Sequence, residues 1–251
     1  MAEAMNGSAE NHHYVVYLPG IEGSATLSSH TLWQAGDLFE ITQLHYPGHS
    51  RLTLEEMADG CVSALAEHGK RSAIWLGESF GSAVALSIAL RHPHATRGVI
   101  LAGGFTKSPN PTRLLLAARM WDAFPKTWGK SYLRRRLSRL VRKDPSRMSA
   151  SSLDSFLANG QLDFLSWRLR LLAAFDCRGC LDRIKVPLLY LGGEDDSLVN
   201  TQEEAQILRE RVSGARTYLF PGCGHAVLAE RGLECQELMN LFVPTAKRAA
   251  A

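Results

Sequence analysis

An α/β fold, built on a doubly wound and mostly parallel sheet with a helical insertion, is predicted by three observations. Apolar strand-like runs alternate with helical periods over residues 13–104 and again from 184 onward. The runs are near-continuously apolar rather than alternating, as expected for strands covered on both faces. Between them, residues 105–183 carry helical patterning without a strand signal.

Taken in order, residues 1–12 are polar, include Glu3 and Glu10, have no apolar core, and read as a loose tail rather than a secretory signal or an anchor. The first strand signal is His13-Tyr14-Val15-Val16-Tyr17-Leu18, closed by Pro19 and Gly20. A helix is expected over 31–38 and a strand over 39–44. Residues 54–68 read as helix, 74–76 as strand, 82–91 as helix and 98–101 as strand. The helical stretch 105–183 is expected to form a cap inserted into the sheet domain, whose core is residues 13–104 and 184–251. Alternation resumes with a strand at 186–191. A helix should follow, capped by Thr201 with Glu204 three residues on. A strand at 217–220 and a last helix ending near Val243 complete the pattern. There is no internal repeat, and the terminal Ala249-Ala250-Ala251 is the single low-complexity tract.

At 251 residues, 45% of them hydrophobic and 21% charged, the chain can bury one sizeable core. A net charge of +3 without a basic stretch interleaved with aromatics argues against a nucleic-acid partner. No apolar run reaches membrane-spanning length. Five cysteines, an odd number in a chain that needs no staples, point to a reducing compartment and so to the cytoplasm.

Gly77-Glu78-Ser79-Phe80-Gly81 joins an apolar strand to a helix of small residues. G-x-S-x-G alone arises by chance in roughly one chain in seven of this composition, so its position carries the argument. A serine at the tip of a strand–turn–helix is presented, not buried, and glycines on either side relieve the crowding of that turn. A serine hydroxyl needs a base within hydrogen-bond reach, and the base needs an orienting acid. His225, in Gly222-Cys223-Gly224-His225 after the last strand, lies at a strand's carboxyl end, the same sheet edge as Ser79. The acid is sought in Gly192-Gly193-Glu194-Asp195-Asp196-Ser197, which follows the preceding strand. Glu194, Asp195 and Asp196 compete there. His12, His13, His30, His68, His92 and His94 occupy tail, loop or helix-end positions that suit solvation or capping.

Serine attack on a carbonyl creates an oxyanion, which oriented backbone N–H groups can hold. The Phe80 N–H follows from the turn itself. A second donor is expected from Leu18-Pro19-Gly20-Ile21-Glu22-Gly23-Ser24, with Ile21 first and Glu22 as the alternative.

With these residues in place, the chain resembles the α/β-hydrolase superfamily, in its serine esterase and lipase-like branch, over most of its length outside the tail and the cap. The family's G-x-x-D-x-x-V pattern selects Asp196, with Asp195 next and Glu194 third. Pro19-Gly20 stands where the family commonly has His-Gly. Tyr46-Pro47-Gly48-His49-Ser50 looks like the family's P-G-x-G-x-S loop, for which a structural role is expected. The resemblance implies a serine esterase acting through an acyl-enzyme on Ser79, without metal or organic cofactor. An acyltransferase or thioesterase would use the same groups, and a small-molecule-binding protein on this scaffold is the non-catalytic alternative. Trp121, Phe124, Trp128 and Trp167 suggest an apolar acyl or alcohol pocket, or packing of the cap.

Two other features invite functional readings. Cys177-Arg178-Gly179-Cys180 has redox or half-zinc spacing, but it lacks both a second ligand pair and a thioredoxin-like setting. Leu133, Leu137, Leu140 and Val141 share a helical face in the basic run 130–143, which is read as a cap helix packing its leucines rather than a stable membrane attachment. Cys223 is read as a small packing residue. The oligomeric state is not fixed by these features.

Overall fold

The computed structural model describes residues 13–23, 39–46, 50–124 and 161–246. Six strands form one parallel sheet in the order β2-β1-β3-β4-β5-β6. They are β1 (His13–Leu18), β2 (Phe39–Gln43), β3 (Ala73–Glu78), β4 (Thr96–Ala102), β5 (Leu188–Gly193) and β6 (Arg216–Phe220). The chain lays β2 on one side of β1 and then returns to place β3 on the other, so the winding direction reverses between β1 and β3. In open α/β sheets the crevice at such a reversal is where ligands bind.

The period of two along each strand accounts for the apolar runs. Tyr14, Val16 and Leu18 of β1, with Ala73 and Trp75 of β3 and Leu188 and Tyr190 of β5, face one core layer. Val15, Tyr17, Ile74, Leu76, Leu189 and Leu191 face the other. Helices α1 (Leu54–Glu67), α2 (Phe80–Arg91) and α5 (Thr201–Arg211) contribute to the first layer, for example through Met57, Leu86 and Leu208. Helices α6 (Val227–Glu230) and α7 (Gly232–Ala246) contribute to the second, through Leu228, Met239 and Phe242. Trp75, fully buried, satisfies its ring N–H on the Ala95 carbonyl at 3.2 Å.

Between β4 and β5 the described residues form α3 (Pro111–Ala123), α4 (Leu165–Ala174) and short 3-10 turns at Leu162–Phe164 and Arg178–Arg183. The two ends of this excursion are tied together where they leave the sheet. Lys107 and Asp176 form an isolated antiparallel bridge, and the Ser108 and Cys177 N–H groups donate to the Phe175 and Thr106 carbonyls. Glu204, buried on α5, accepts from the Thr106 N–H and hydroxyl at 2.7 Å each and from Arg178 at 2.7 Å.

Several sequence expectations shift. Gly192 and Gly193, expected in a turn, are strand residues paired with Leu219 and Phe220, while Val186 and Pro187 precede the strand. The cap of α5 is Asn200, whose side chain accepts from the Glu203 N–H. Thr201 instead donates its hydroxyl to the Gly193 carbonyl at 2.7 Å, and Glu204 is drawn inward to Thr106, so the expected capping pair does not form. The bonding needs of the buried strand end and of the Thr106 turn outcompete the cap. Strand β3 extends to Glu78, α2 begins at Phe80, and the last helix runs to Ala246.

The expected tail 1–12, helix 31–38, Pro47, Gly48, His49, the basic run 130–143 and its apolar face, Trp128 and Ala249-Ala250-Ala251 lie outside the described residues. Among the described residues no helix is long and apolar enough to cross a membrane.

Helix α1 starts with a capping box: Thr53 accepts from the Glu56 N–H at 3.1 Å while Glu56 accepts from the Thr53 N–H at 2.8 Å. Removing it by Thr53→Ala should cost about 1 kcal/mol, lowering Tm by about 2–4 °C, with a larger drop expected for Gly81→Ala, where a Cβ would stand 2.1 Å from the Leu18 carbonyl oxygen. Differential scanning calorimetry of the two variants checks this order.

Candidate active site

Ser79 sits between β3 and α2 with φ 51° and ψ −110°. Among the described residues it is the one non-glycine with positive φ. An L side chain in that region is strained, so the surroundings must hold it there. The Ser79 N–H donates to the Ala102 carbonyl at 2.9 Å, at the neighbouring strand's end. The first turn of α2 doubles back so tightly that a Cβ on Gly77 would stand 2.4 Å from the Gly81 carbonyl oxygen. Glycine at both positions is what allows this elbow to close.

His225 and Asp196 reach Ser79 from the ends of β6 and β5. The His225 Nε2 lies 2.8 Å from the Ser79 Oγ, and its Nδ1 lies 2.7 Å from the Asp196 Oδ2. With the proton on Nδ1, His225 donates to Asp196 and accepts from the Ser79 hydroxyl. The Asp196 side chain is fully buried, and its other oxygen accepts from the Leu198 and Val199 N–H groups at 2.7 and 3.1 Å. These bonds fix the orientation of the carboxylate. Asp195 and Glu194, by contrast, use backbone N–H groups to bond the Cys223 and Phe220 carbonyls, and Glu194 is exposed. Of the three carboxylates expected to compete, the structure brings Asp196 to the histidine.

Burial disfavours the imidazolium of His225, but the Asp196 carboxylate acts against it by charge and by hydrogen bond. With Glu78 and Glu230 adding to Asp196, the balance raises His225 above its ordinary value. Neither glutamate was singled out from the sequence. Glu78 lies on the β3 face shared by Ile74 and Leu76 and accepts a short hydrogen bond from the Tyr17 hydroxyl. Glu230, buried on α6, accepts from the Gly224 N–H at 2.9 Å next to His225. A charged residue at an inward position of an apolar strand was the available signal for Glu78; Glu230 had none.

The remaining expected groups fall around this chain of bonds. Phe80 is the first residue of α2, and a first-turn N–H has no acceptor within its own helix. Leu18 pairs with Gly77, which sets the loop after β1 beside the elbow. Ile21 lies in that loop, in a turn closed by the Gly23 N–H donating to the Gly20 carbonyl at 3.0 Å. Trp121 is buried, Phe124 is exposed, and Trp167 donates its ring N–H to the Leu52 carbonyl at 2.9 Å. Trp167 therefore anchors α4 to the core.

The other histidines do different work. His13 is buried in β1, His68 bonds the Ala64 carbonyl at the end of α1, and His92 lies 2.7 Å from an Asp59 oxygen. Burial and the Glu204 carboxylate push the Cys177 thiol up to about 12, and burial with Glu230 does the same to Cys223. Both therefore stay protonated near neutrality and are weak nucleophiles.

A family model, that of serine aminopeptidase, S33, matches residues 52–232, a span that contains Ser79, Asp196 and His225. The chain belongs to this α/β-hydrolase family. The hydrolase is 30% identical over 242 residues to the pimeloyl-[acyl-carrier protein] methyl ester esterase of Sodalis glossinidius, covering 90% of this chain and 92% of that one. Among solved structures, its fold is similar to a thermophilic esterase from Thermogutta terrifontis, at TM-score 0.81 and 16% identity, covering 94% and 91% of the two chains. It is likewise similar to the enol-lactonase of Burkholderia xenovorans, at TM-score 0.81 and 18% identity, covering 93% and 92%.

The His225 imidazole of this hydrolase should titrate above its ordinary value of 6.5. In Asp196→Asn the dominant raising influence is gone while burial remains, so the midpoint should fall. Proton NMR of the His225 ring signals against pH, in both proteins, checks the direction.

Proposed function

We propose that the hydrolase cleaves carboxylic esters through an acyl-enzyme on Ser79. The observation that carries this reading is the continuous hydrogen-bonded chain from the Ser79 Oγ through His225 to the buried Asp196 carboxylate, ending on a serine held at positive φ.

His225 Nε2 accepts the Ser79 hydroxyl proton as the oxygen bonds to the ester carbonyl carbon. The carbonyl oxygen becomes an oxyanion facing the N–H groups of Phe80 and Ile21. Each such donor contributes on the order of 3–4 kcal/mol, or about 10²–10³-fold in rate. Collapse of this intermediate breaks the bond to the alcohol, which leaves with the proton from His225. A water molecule then gives a proton to His225 and attacks the acyl carbon, releasing the acid and restoring Ser79. Asp196 stays ionised throughout, holding the Nδ1–H tautomer and stabilising the transient imidazolium. The raised basicity of His225 suits the first proton transfer.

In this reading residues 13–104 and 184–251 form the hydrolytic core and 105–183 form a cap over Ser79. The bonds tying both ends of the insertion at Lys107 and Asp176 support that division. The Sodalis relative's methyl ester substrate supports a small leaving alcohol and an extended acyl chain, which makes an acyl methyl ester on a carrier protein the substrate to try first.

Ser79→Ala should lower turnover of a methyl ester by about 10⁴-fold or more, with little change in fold by circular dichroism. A fluorophosphonate should label the parent at Ser79 and leave the variant unmarked. Undiminished turnover in Ser79→Ala would overturn the mechanism. The acid limb of the parent's pH–rate profile should lie above 6.5, because activity requires neutral His225 and its pKa is raised.

A further inference from the structure

Arg168, on α4 of the insertion, is an arginine with 1% of its surface exposed. A charge so deeply buried is costly unless its bonds accomplish something specific. Its Nη1 donates to the Ile21 carbonyl at 2.9 Å and its Nη2 to the Gln161 Oε1 at 2.5 Å, while its Nε has no partner among the described residues. The guanidinium lies 5.3 Å from the Tyr46 ring centre, and Gly23 leaves room for it, since a Cβ there would stand 2.5 Å from Nη1.

The loop after β1 is thereby held at every carbonyl from Pro19 to Gly23. The Tyr46 hydroxyl donates to Pro19 at 3.0 Å, the Gly23 N–H to Gly20 at 3.0 Å, and the Tyr46 N–H to Gly23 at 3.3 Å. The two carbonyls left over, Ile21 and Glu22, are held from the insertion, by Arg168 and by the Gln161 N–H at 2.9 Å. Because a trans peptide sets the C=O of one residue opposite the N–H of the next, the bond on the Gly20 carbonyl orients the Ile21 N–H, and the Arg168 bond on the Ile21 carbonyl orients the Glu22 N–H, the alternative donor of this loop. The peptide between Ile21 and Glu22 is the central one of a turn closed from Gly20 to Gly23. That closing bond is compatible with either orientation of the central peptide. Glu22 at negative φ disfavours the flipped form, and Arg168 is the further restraint on it.

Arg168 also meets an electrostatic need. Glu22 is buried and its carboxylate folds back over Gly20, within 2.6 Å of where a Cβ would stand. A carboxylate there opposes a second negative charge forming in front of the loop, and the Arg168 guanidinium, which interacts with Glu22 by charge, offsets that repulsion.

We propose that Arg168 is a positioning residue for the oxyanion hole, clamping the Ile21 carbonyl so that the Glu22 N–H of the same peptide, and the turn that presents the Ile21 N–H, keep one orientation, and offsetting the charge of Glu22. The inference rests on the acyl-enzyme reading of Ser79. It makes the insertion part of the reaction's geometry as well as a cover for the substrate.

The test compares Arg168→Met, Arg168→Lys and Gln161→Met with the parent on one methyl ester. Inhibition by a trifluoromethyl ketone, which forms an oxyanion on Ser79, is measured beside inhibition by the product acid. Arg168→Met should lower kcat by about 10–100-fold and raise the ketone inhibition constant by the same factor, with KM and product inhibition within about twofold. Arg168→Lys, which keeps a donor and the charge, should recover part of both losses. Gln161→Met should show the same pattern at about three- to tenfold, and it carries the test if Arg168→Met is too unstable to assay.

Ketone inhibition unchanged in the variants, or kcat falling only in step with Tm, would overturn the proposal. Failure of the acyl-enzyme reading would show instead in the parent, as absent ester turnover and absent Ser79 labelling, and would overturn both.

Discussion

The site rests on how closely the start of α2 approaches the end of β1. Gly81 lies so near the Leu18 carbonyl that no side chain fits between them, and Gly77 has no room for one against Gly81 either. This backbone-on-backbone contact forces the chain to turn within a single residue after β3, and Ser79 takes the positive φ that the turn imposes. The same contact sets the loop after β1 against the serine. The positions of Ser79 and of the loop after β1 are thus consequences of one packing constraint at the sheet's point of reversal.

A second close approach brings the other two members in. A Cβ on Gly193 would stand 2.1 Å from the Gly224 carbonyl oxygen, so the turns after β5 and β6 lie directly on each other. Asp196 and His225 project from those turns and meet at 2.7 Å. Their neighbourhood is rich in carboxylates, with Glu78 and Glu230 flanking the imidazole. These groups favour the imidazolium, which burial alone would suppress. An environment of that kind suits a base that must carry a proton briefly and then return it.

The chain between β4 and β5 is joined to this core by directional polar bonds as well as by apolar residues such as Leu172, Phe175 and Leu181. Glu204 holds Thr106 and Arg178 at its base, Trp167 bonds Leu52, and Arg168 with Gln161 reaches the loop beside Ser79. Each bond is directional and fails if its partner moves by an ångström or so. The placement of α4 is therefore coupled to the geometry of the loop after β1, beside Ser79.

The alternation of apolar strands and helices was legible because burial on both faces writes itself into consecutive residues, as Tyr14 to Leu18 show. Ser79, His225 and the acidic turn were legible because each follows a strand at one sheet edge. Local reading went wrong where a long-range partner outbid a local one: Glu204 left the expected cap of α5 for Thr106, and Gly192 and Gly193 joined β5 because β6 pairs with them. Arg168 and Glu230 carried no sequence signal, since a charged residue in a helix looks the same whether it faces water or a buried polar group.

By itself the sequence determined the class of fold, the serine elbow and the order of serine, acidic turn and histidine along the chain. All of these depend on short-range chain geometry and on the period of burial. Tertiary structure alone decided which of the adjacent carboxylates meets the histidine and which charged groups surround it. Those are questions of distance between residues on different strands, turns and helices, such as Asp196 and His225, and only the packed sheet sets that distance.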